Sequence, residues 1–214
     1  MKVFKFGGAS VNSAEAIRNV AEIVRQYLEK PLVVVISAMG KTTNLLEKVV
    51  PGVPASDNER RKLLQQNTDY HLSIADSLFA DKGDPTYARL RELFGQLDEV
   101  SARKATNYNF DYDQTVSFGE LISTTLISGY LNSVGISNVW VDVRNVIRTN
   151  ENYREGIVDF DTTRRQANSQ LSTLNSLSLK VSSLGQPPGQ PPRWGARAAT
   201  TRPRSSPTAS TPTI

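Results

Sequence analysis

Val3-Phe4-Lys5-Phe6-Gly7-Gly8 and Leu32-Val33-Val34-Val35-Ile36 decide the fold class of this chain. The first is a short apolar run ended by two glycines, which reads as a buried strand and a tight turn. The second follows Pro31 and is almost entirely β-branched, the pattern of another buried strand. Between them, Asn12 or Ser13 is placed to cap a helix whose apolar positions Ile17, Val20, Ile23, Val24 and Leu28 keep helical spacing. Strand, helix and strand within 36 residues form a βαβ unit, so the sheet is expected to be parallel there.

Working outward, residues 37–44 form a loop into a second helix, and residues 58–80 and 86–104 read as two polar, amphipathic helices. A further helix is expected over 115–133, stopped by Gly135. Residues 136–143 return as a strand with Trp140 inside it, and 162–170 read as helical. From Gly185 onward the pattern collapses. Seven of the chain's 11 prolines lie in its last 28 residues, among Ser, Thr, Gly, Ala and Arg. Such a stretch cannot bury enough apolar surface to offset its ordering entropy, so disorder is expected.

Charge divides the same way. The chain carries 25 basic and 21 acidic residues, a net +4. Lys180, Arg193, Arg197, Arg202 and Arg204 lie after residue 175 with no acid among them, so residues 1–175 carry 20 minus 21, or −1. The basic balance belongs to the tail and implies no nucleic-acid partner. The absence of cysteine excludes disulfides and thiolate metal sites. The opening residues are too short and charged for a signal-peptide core, and no apolar run approaches a membrane span. A soluble, cytoplasmic protein is expected.

Lys5 sits near the carboxyl end of the first strand, where open α/β sheets place ligands, and Gly7 and Gly8 let backbone amides approach an anion. Lys5 snorkelling from an edge strand beside an ordinary turn explains the same residues. Gly40-Lys41-Thr42 resembles the end of a P-loop, but the position needing the earlier glycine holds Val35, so that reading fails. Ser37, Thr42 and Thr43 place hydroxyls near a helix start, suited to anions or to simple capping. Glu120, among apolar neighbours, is suited to a substrate ammonium group or to the dipole of its own helix. His71 reads as a solvated surface residue, and Arg60, Arg61 and Lys62 as a solvated helix face.

The order of these segments carries more than any one of them. Lys5-Phe6-Gly7-Gly8-Ala9-Ser10-Val11 resembles the opening lysine-phenylalanine-glycine-glycine-threonine-serine-valine motif of aspartate kinases. Val34-Val35-Ile36-Ser37-Ala38-Met39-Gly40, continuing through Thr43-Asn44, resembles their second strand and loop. Ser117-Phe118-Gly119-Glu120-Leu121 matches their serine-x-glycine-glutamate-leucine helix. Val141-Asp142-Val143-Arg144 with Ile147-Arg148-Thr149 matches a later strand and turn. The resemblance covers residues 1–174. It implies an α/β fold, the three-layer αβα sandwich of the amino-acid-kinase type, here incomplete and followed by a disordered tail. It also implies transfer of the ATP γ-phosphoryl group to the side-chain carboxylate of L-aspartate, the first step of lysine, threonine and methionine biosynthesis, with Mg2+ accompanying the nucleotide. By the same resemblance Lys5 is the catalytic charge on the transferring phosphoryl. Gly7, Gly8, Ser10 and Ser37 lie at the ATP phosphates, and Thr43 and Glu120 hold the aspartate. No protein side chain is assigned to a metal, and full-length members are expected to be homo-oligomers.

Two departures stand out. Ala9 replaces the family's threonine, and the glycine-arginine-glutamate-glycine-serine-aspartate motif expected after residue 174 is missing. That motif supplies the substrate-binding arginine and an essential aspartate. The domain is therefore expected over 1–174, with 175–214 a non-native tail read out of frame and the chain as it stands inactive. Genetic-code arithmetic supports the shift. Joining the last base of each codon to the first two of the next, Trp194 and Gly195 force glycine. The junctions from Arg193/Trp194 to Thr200/Thr201 permit leucine-glycine-arginine-glutamate-glycine-serine-aspartate-tyrosine, the missing motif. Those from Asn175/Ser176 to Ser182/Ser183 permit leucine-valine-valine-threonine-glutamine-glycine-phenylalanine-isoleucine, the family's next strand. A non-catalytic binding remnant is the alternative. A glutamate or acetylglutamate kinase is disfavoured by the serine-x-glycine-glutamate helix.

Overall fold

The computed structural model describes residues 2–29, 31–172 and 179–183. Four strands, β1 (Lys2–Phe6), β2 (Leu32–Ile36), β3 (Asn138–Val141) and β4 (Leu179–Ser183), form one sheet in the order β1-β2-β4-β3. Every pairing is parallel, with Lys2 opposite Leu32 in the first and Leu32 opposite Leu179 in the second. The βαβ reading of the opening holds. The burial of residues 3–6 does not: β1 is an edge strand, and Val3 is 60% exposed. A second correction concerns the expected tail from residue 175. Its residues 179–183 form β4, which fills the gap between β2 and β3 and satisfies backbone groups on both. Residues 184–214, for which disorder is expected, lie outside the described residues.

Helix α1 (Ala14–Arg25) starts where Ala16 N donates to Ser13 Oγ at 3.2 Å, so Ser13 rather than Asn12 is the cap. Its Ile17, Val20 and Val24 join Leu32, Val34 and Ile36 in one core. The loop after β2 leads into the short α2 (Thr42–Leu46). Helix α3 (Asp57–Leu78) is capped by Ser56, which accepts from Glu59 N, while Glu59 reaches back to Ala55 N at 2.9 Å. Helix α4 (Pro85–Ser101) has proline in its first turn behind Asp84, which caps Thr86 N. The expected helix over 115–133 is two helices, α5 (Tyr108–Val116) and α6 (Phe118–Ser133), joined at Ser117. Asn107 starts α5 by accepting from the amides of Asn109 and Phe110. At its end Thr115 Oγ1 and Ser117 Oγ donate back to the carbonyls of Asp111 and Gln114, a local competition that bends helices. Gly135 ends α6 with φ +80°, a conformation that favours glycine. Helix α7 is Phe160–Ser172.

Helices α1, α3, α4 and α6 share a core that takes in Leu32, Val34 and Ile36 of β2, with Phe4, Phe6 and Trp140 packed against it. Trp140 Nε1 is satisfied there by Thr124 Oγ1 at 2.8 Å. The alternate residues point the other way, and Val3 and Val139 are 60% and 48% exposed.

Two polar residues expected on the surface are inside this helical layer. His71 is fully buried, its Nδ1 2.8 Å from the Asn67 carbonyl, and burial pushes its pKa down to about 4. Arg60 is also buried, held by the carboxylates of Asp57 and Asp98 and by Ser101 Oγ at 2.9 Å. Asp98 and Ser101 come from the next helix, which spacing within one helix cannot reveal. Arg61 and Lys62 are exposed as expected.

Candidate functional site

The carboxyl ends of β1 and β2 meet through their loops. Ser37 N donates to Phe6 O at 3.1 Å, extending the ladder, and Gly40 N donates to Gly8 O at 3.0 Å. Gly8 is required at that contact. A Cβ there would lie 2.5 Å from the Ala38 carbonyl oxygen and 3.1 Å from that of Gly40. Lys5 projects from the strand beneath the first loop, its Nζ 3.5 Å from where a Cβ on Gly7 would stand. A lysine ammonium and the turn's peptide backbone therefore face one small volume.

The N-terminal end of α6 closes the site from the other side. A Cβ on Gly119 would sit 2.9 Å from Ala38 Cβ and 3.4 Å from Thr42 Cγ2, so this helix touches the β2 loop only because its second residue is glycine. Ser123, one turn later, locks the contact: its Oγ accepts from Met39 N at 2.9 Å and donates to Gly119 O at 2.7 Å. Glu120 is thereby brought to the Ala38 backbone. Burial raises its pKa, and its own amide and that of Ala38 hold it back. A carboxylate held half-buried beside amide donors is suited to pair with an ammonium group entering from solvent.

The residues expected to bind ligands thus fall into a contact set and a peripheral set. Lys5, Gly7, Gly8, the Ser37–Ala38 loop and Glu120 converge. The Ser37 and Thr43 side chains are half-buried and Ser10 is exposed, and none of the three hydroxyls hydrogen-bonds a described residue. Lys41 at the start of α2 makes no side-chain cap, so simple capping does not account for this loop. Gly119 and Ser123 were not singled out from sequence. A glycine and a serine four apart in an otherwise apolar helix were the available signal of close approach.

The space beside Gly8 is filled by the Ala38 and Gly40 carbonyl oxygens, so the close packing of the two loops accounts for that glycine. Among the described residues there is no cluster of three or more carboxylates or histidines suited to hold a metal. No described helix is long and apolar enough to cross a membrane.

Known proteins resemble this chain in sequence and fold. Aspartokinase 1, chloroplastic, of Arabidopsis thaliana is 38% identical over 143 residues, which are 63% of this chain and 24% of the relative. The aspartokinase of Chlamydia trachomatis is 29% identical over 157 residues, 73% of this chain and 34% of its own. The structure of E. coli aspartokinase III in complex with aspartate and ADP superposes with a TM-score of 0.75 at 27% identity, over 86% of this chain and 40% of that one. Its complex with lysine and aspartate gives 0.73. The chain spans between a quarter and two-fifths of the length of these relatives. The model of the amino acid kinase family matches residues 1–177, more than half the chain, and the chain belongs to that family.

Proposed function

We propose that this site is the substrate-binding half of an aspartate kinase. It binds L-aspartate and the phosphates of ATP for transfer of the γ-phosphoryl group to the aspartate side-chain carboxylate. In that reaction a carboxylate oxygen attacks the γ-phosphorus, the bond to the β–γ bridging oxygen breaks, and ADP leaves. Lys5 offsets the charge on the transferring group, and the Gly7–Gly8 turn receives phosphate oxygens together with Ser10 and Ser37. Thr43 and Glu120 hold the aspartate, with Glu120 facing its ammonium group. Such chemistry rests mainly on positioning and charge stabilisation. The observation that carries the reading is the convergence of Gly8, Ala38 and Glu120, from three separated segments, at the strand ends.

As it stands the sequence contains no glycine-arginine-glutamate-glycine-serine-aspartate run. The 214-residue chain accordingly binds aspartate without turning it over, because losing one preorganised charge-stabilising group costs about a hundredfold to a thousandfold in rate. Calorimetric titration with L-aspartate, compared between the chain and Glu120→Gln, tests the binding role. A coupled assay for aspartyl phosphate tests turnover, and robust activity abolished by Lys5→Ala would overturn the second claim while leaving the first. A cytoplasmic location and homo-oligomeric assembly of the full-length protein belong to the same proposal; light scattering on the full-length protein tests the assembly.

We also propose that residues 175–214 are this same gene read out of frame. The codon-junction reading supports it, as does a family match that ends at residue 177. Coding DNA that fails to spell the motif in the shifted frame would end the idea.

A further inference from the structure

On the opposite side of α2 from Thr43 lies a second concavity, about 600 Å³, between α2 and α3. Lys41, Leu45 and Lys48 line it at helical spacing from one wall, and Leu63, Asn67 and Tyr70 line the other. No carboxylate lines it, and neither lysine pairs with a carboxylate among the described residues. The decisive feature is at its base. The Asn67 side chain is 1% exposed, yet both its Nδ2 and Oδ1 lack a hydrogen-bond partner among the described residues. Thr42 Oγ1, 4% exposed and also lining the groove, is in the same state. Buried amides and hydroxyls are almost always satisfied, so two unsatisfied groups in one concavity mark a place where a polar ligand completes the structure.

We propose that this groove binds a small organic anion, a carboxylate or phosphate ester, at a site separate from the one at Gly8 and Glu120. The two ammonium groups supply charge, the Asn67 amide and Thr42 hydroxyl supply directed donors, and Leu45 and Leu63 receive an apolar body. The volume exceeds what a bare phosphate needs and falls in the range of metabolite sites. The groove is kept open by Gly40, whose φ is +51° and where a Cβ would stand 2.8 Å from the Tyr70 hydroxyl oxygen. Tyr70 is itself fixed by donating to Asn12 O at 2.9 Å. Because Thr42 also touches Gly119, a ligand here rests on the loop that shapes the substrate site.

Titrating inorganic phosphate and, separately, succinate into the 15N-labelled 214-residue protein tests this directly. The Asn67 side-chain amide resonances should move saturably with at least one probe, and which probe saturates identifies the head group. Lys41→Gln and Lys48→Gln should each weaken that binding about tenfold, the loss expected for one charge-assisted contact. Both lysines are exposed, so neither change endangers the fold. Lys5→Gln should leave the same titration unchanged, which separates this groove from the phosphate site of the proposed kinase. No saturable movement with either probe, or movement that survives the double lysine replacement, would overturn the proposal.

Discussion

The two faces of the sheet are built from the same strands and behave as opposites. Toward the helices, Leu32, Val34 and Ile36 are fully buried behind α1 and α6. On the other face Val3 and Val139 of the outer strands stand in solvent, while Val33 and Val35 of β2 are half-buried. The difference teaches that alternation within a strand assigns residues to a face but does not say whether that face is covered. Coverage is decided by other segments. The helices over the covered face are α1, α3, α4 and α6, and α7, the crossover from β3 to β4, is not part of the core they share.

The largest effect should come from cutting into the covered face. Ile36→Ala removes a fully buried side chain and should cost about 2–5 kcal/mol, read as a fall in the urea midpoint at unchanged slope. A cost below half a kilocalorie would show that this face is not the core.

Acid should attack the same layer through His71. Its pKa of about 4 in the folded state lies below the ordinary value of 6.5, because burial disfavours the charged ring. The unfolded chain therefore takes up the proton first. Stability is undiminished above pH 6.5 and is lost as pH falls from there toward 4, by up to roughly 3 kcal/mol. His71→Leu should flatten that part of the stability profile, and a profile as steep as the parent's would rule the residue out as its source.

A smaller effect is expected where the helical layer meets the β2 loop. Gly119→Ala forces a methyl to within 2.9 Å of Ala38 Cβ and should cost about 1–3 kcal/mol by overpacking. It should weaken aspartate binding as well, since Glu120 moves with its neighbour. Loss of stability with binding intact would detach the site from this contact.

The smallest change in stability belongs to the bare face. Val139→Lys should shift the unfolding midpoint by less than about 0.5 kcal/mol, the usual range for surface positions. It should nonetheless raise solubility, because exposed apolar sheet surface and unpaired edges favour association. A loss comparable to that of Ile36→Ala would mean that the two faces are not distinct.

Local pattern made the opening βαβ unit and the Ser13 cap legible, because the interactions that form them lie within a few residues. The site's component loops were legible for the same reason. Their meeting was not: Gly8, Ala38 and Gly119 interlock through contacts 30 and 81 positions apart, and nothing near Gly119 announces its partner. Arg60 and His71 were misread because polarity was taken for exposure, while Arg60 is satisfied by Asp98 from another helix. Helix α5 was missed because its aromatic residues alternate with polar ones rather than keeping helical spacing, and its start depends on one asparagine cap. Strand β4 was missed since ladder pairing uses backbone groups that any non-proline residue carries. That tolerance allows a stretch with no strand signal of its own to occupy a strand position.

The place of β4 in the strand order also governs how the molecule is assembled in time. Strands β1 and β2 meet across a single short helix, but among the described strands β3 pairs only with β4, the last of them in the sequence. Joining Leu32 to Leu179 closes a loop of about two-thirds of the chain. The step that unites the sheet therefore has the highest contact order in the molecule, and its entropy must be lost before any ladder bond is gained. Until then β3 is a free-standing edge on a nascent chain, exposed to other copies emerging nearby. The yield of native protein is set by a race between that late intramolecular closure and intermolecular pairing, and slower synthesis at lower chain concentration shifts the race toward closure.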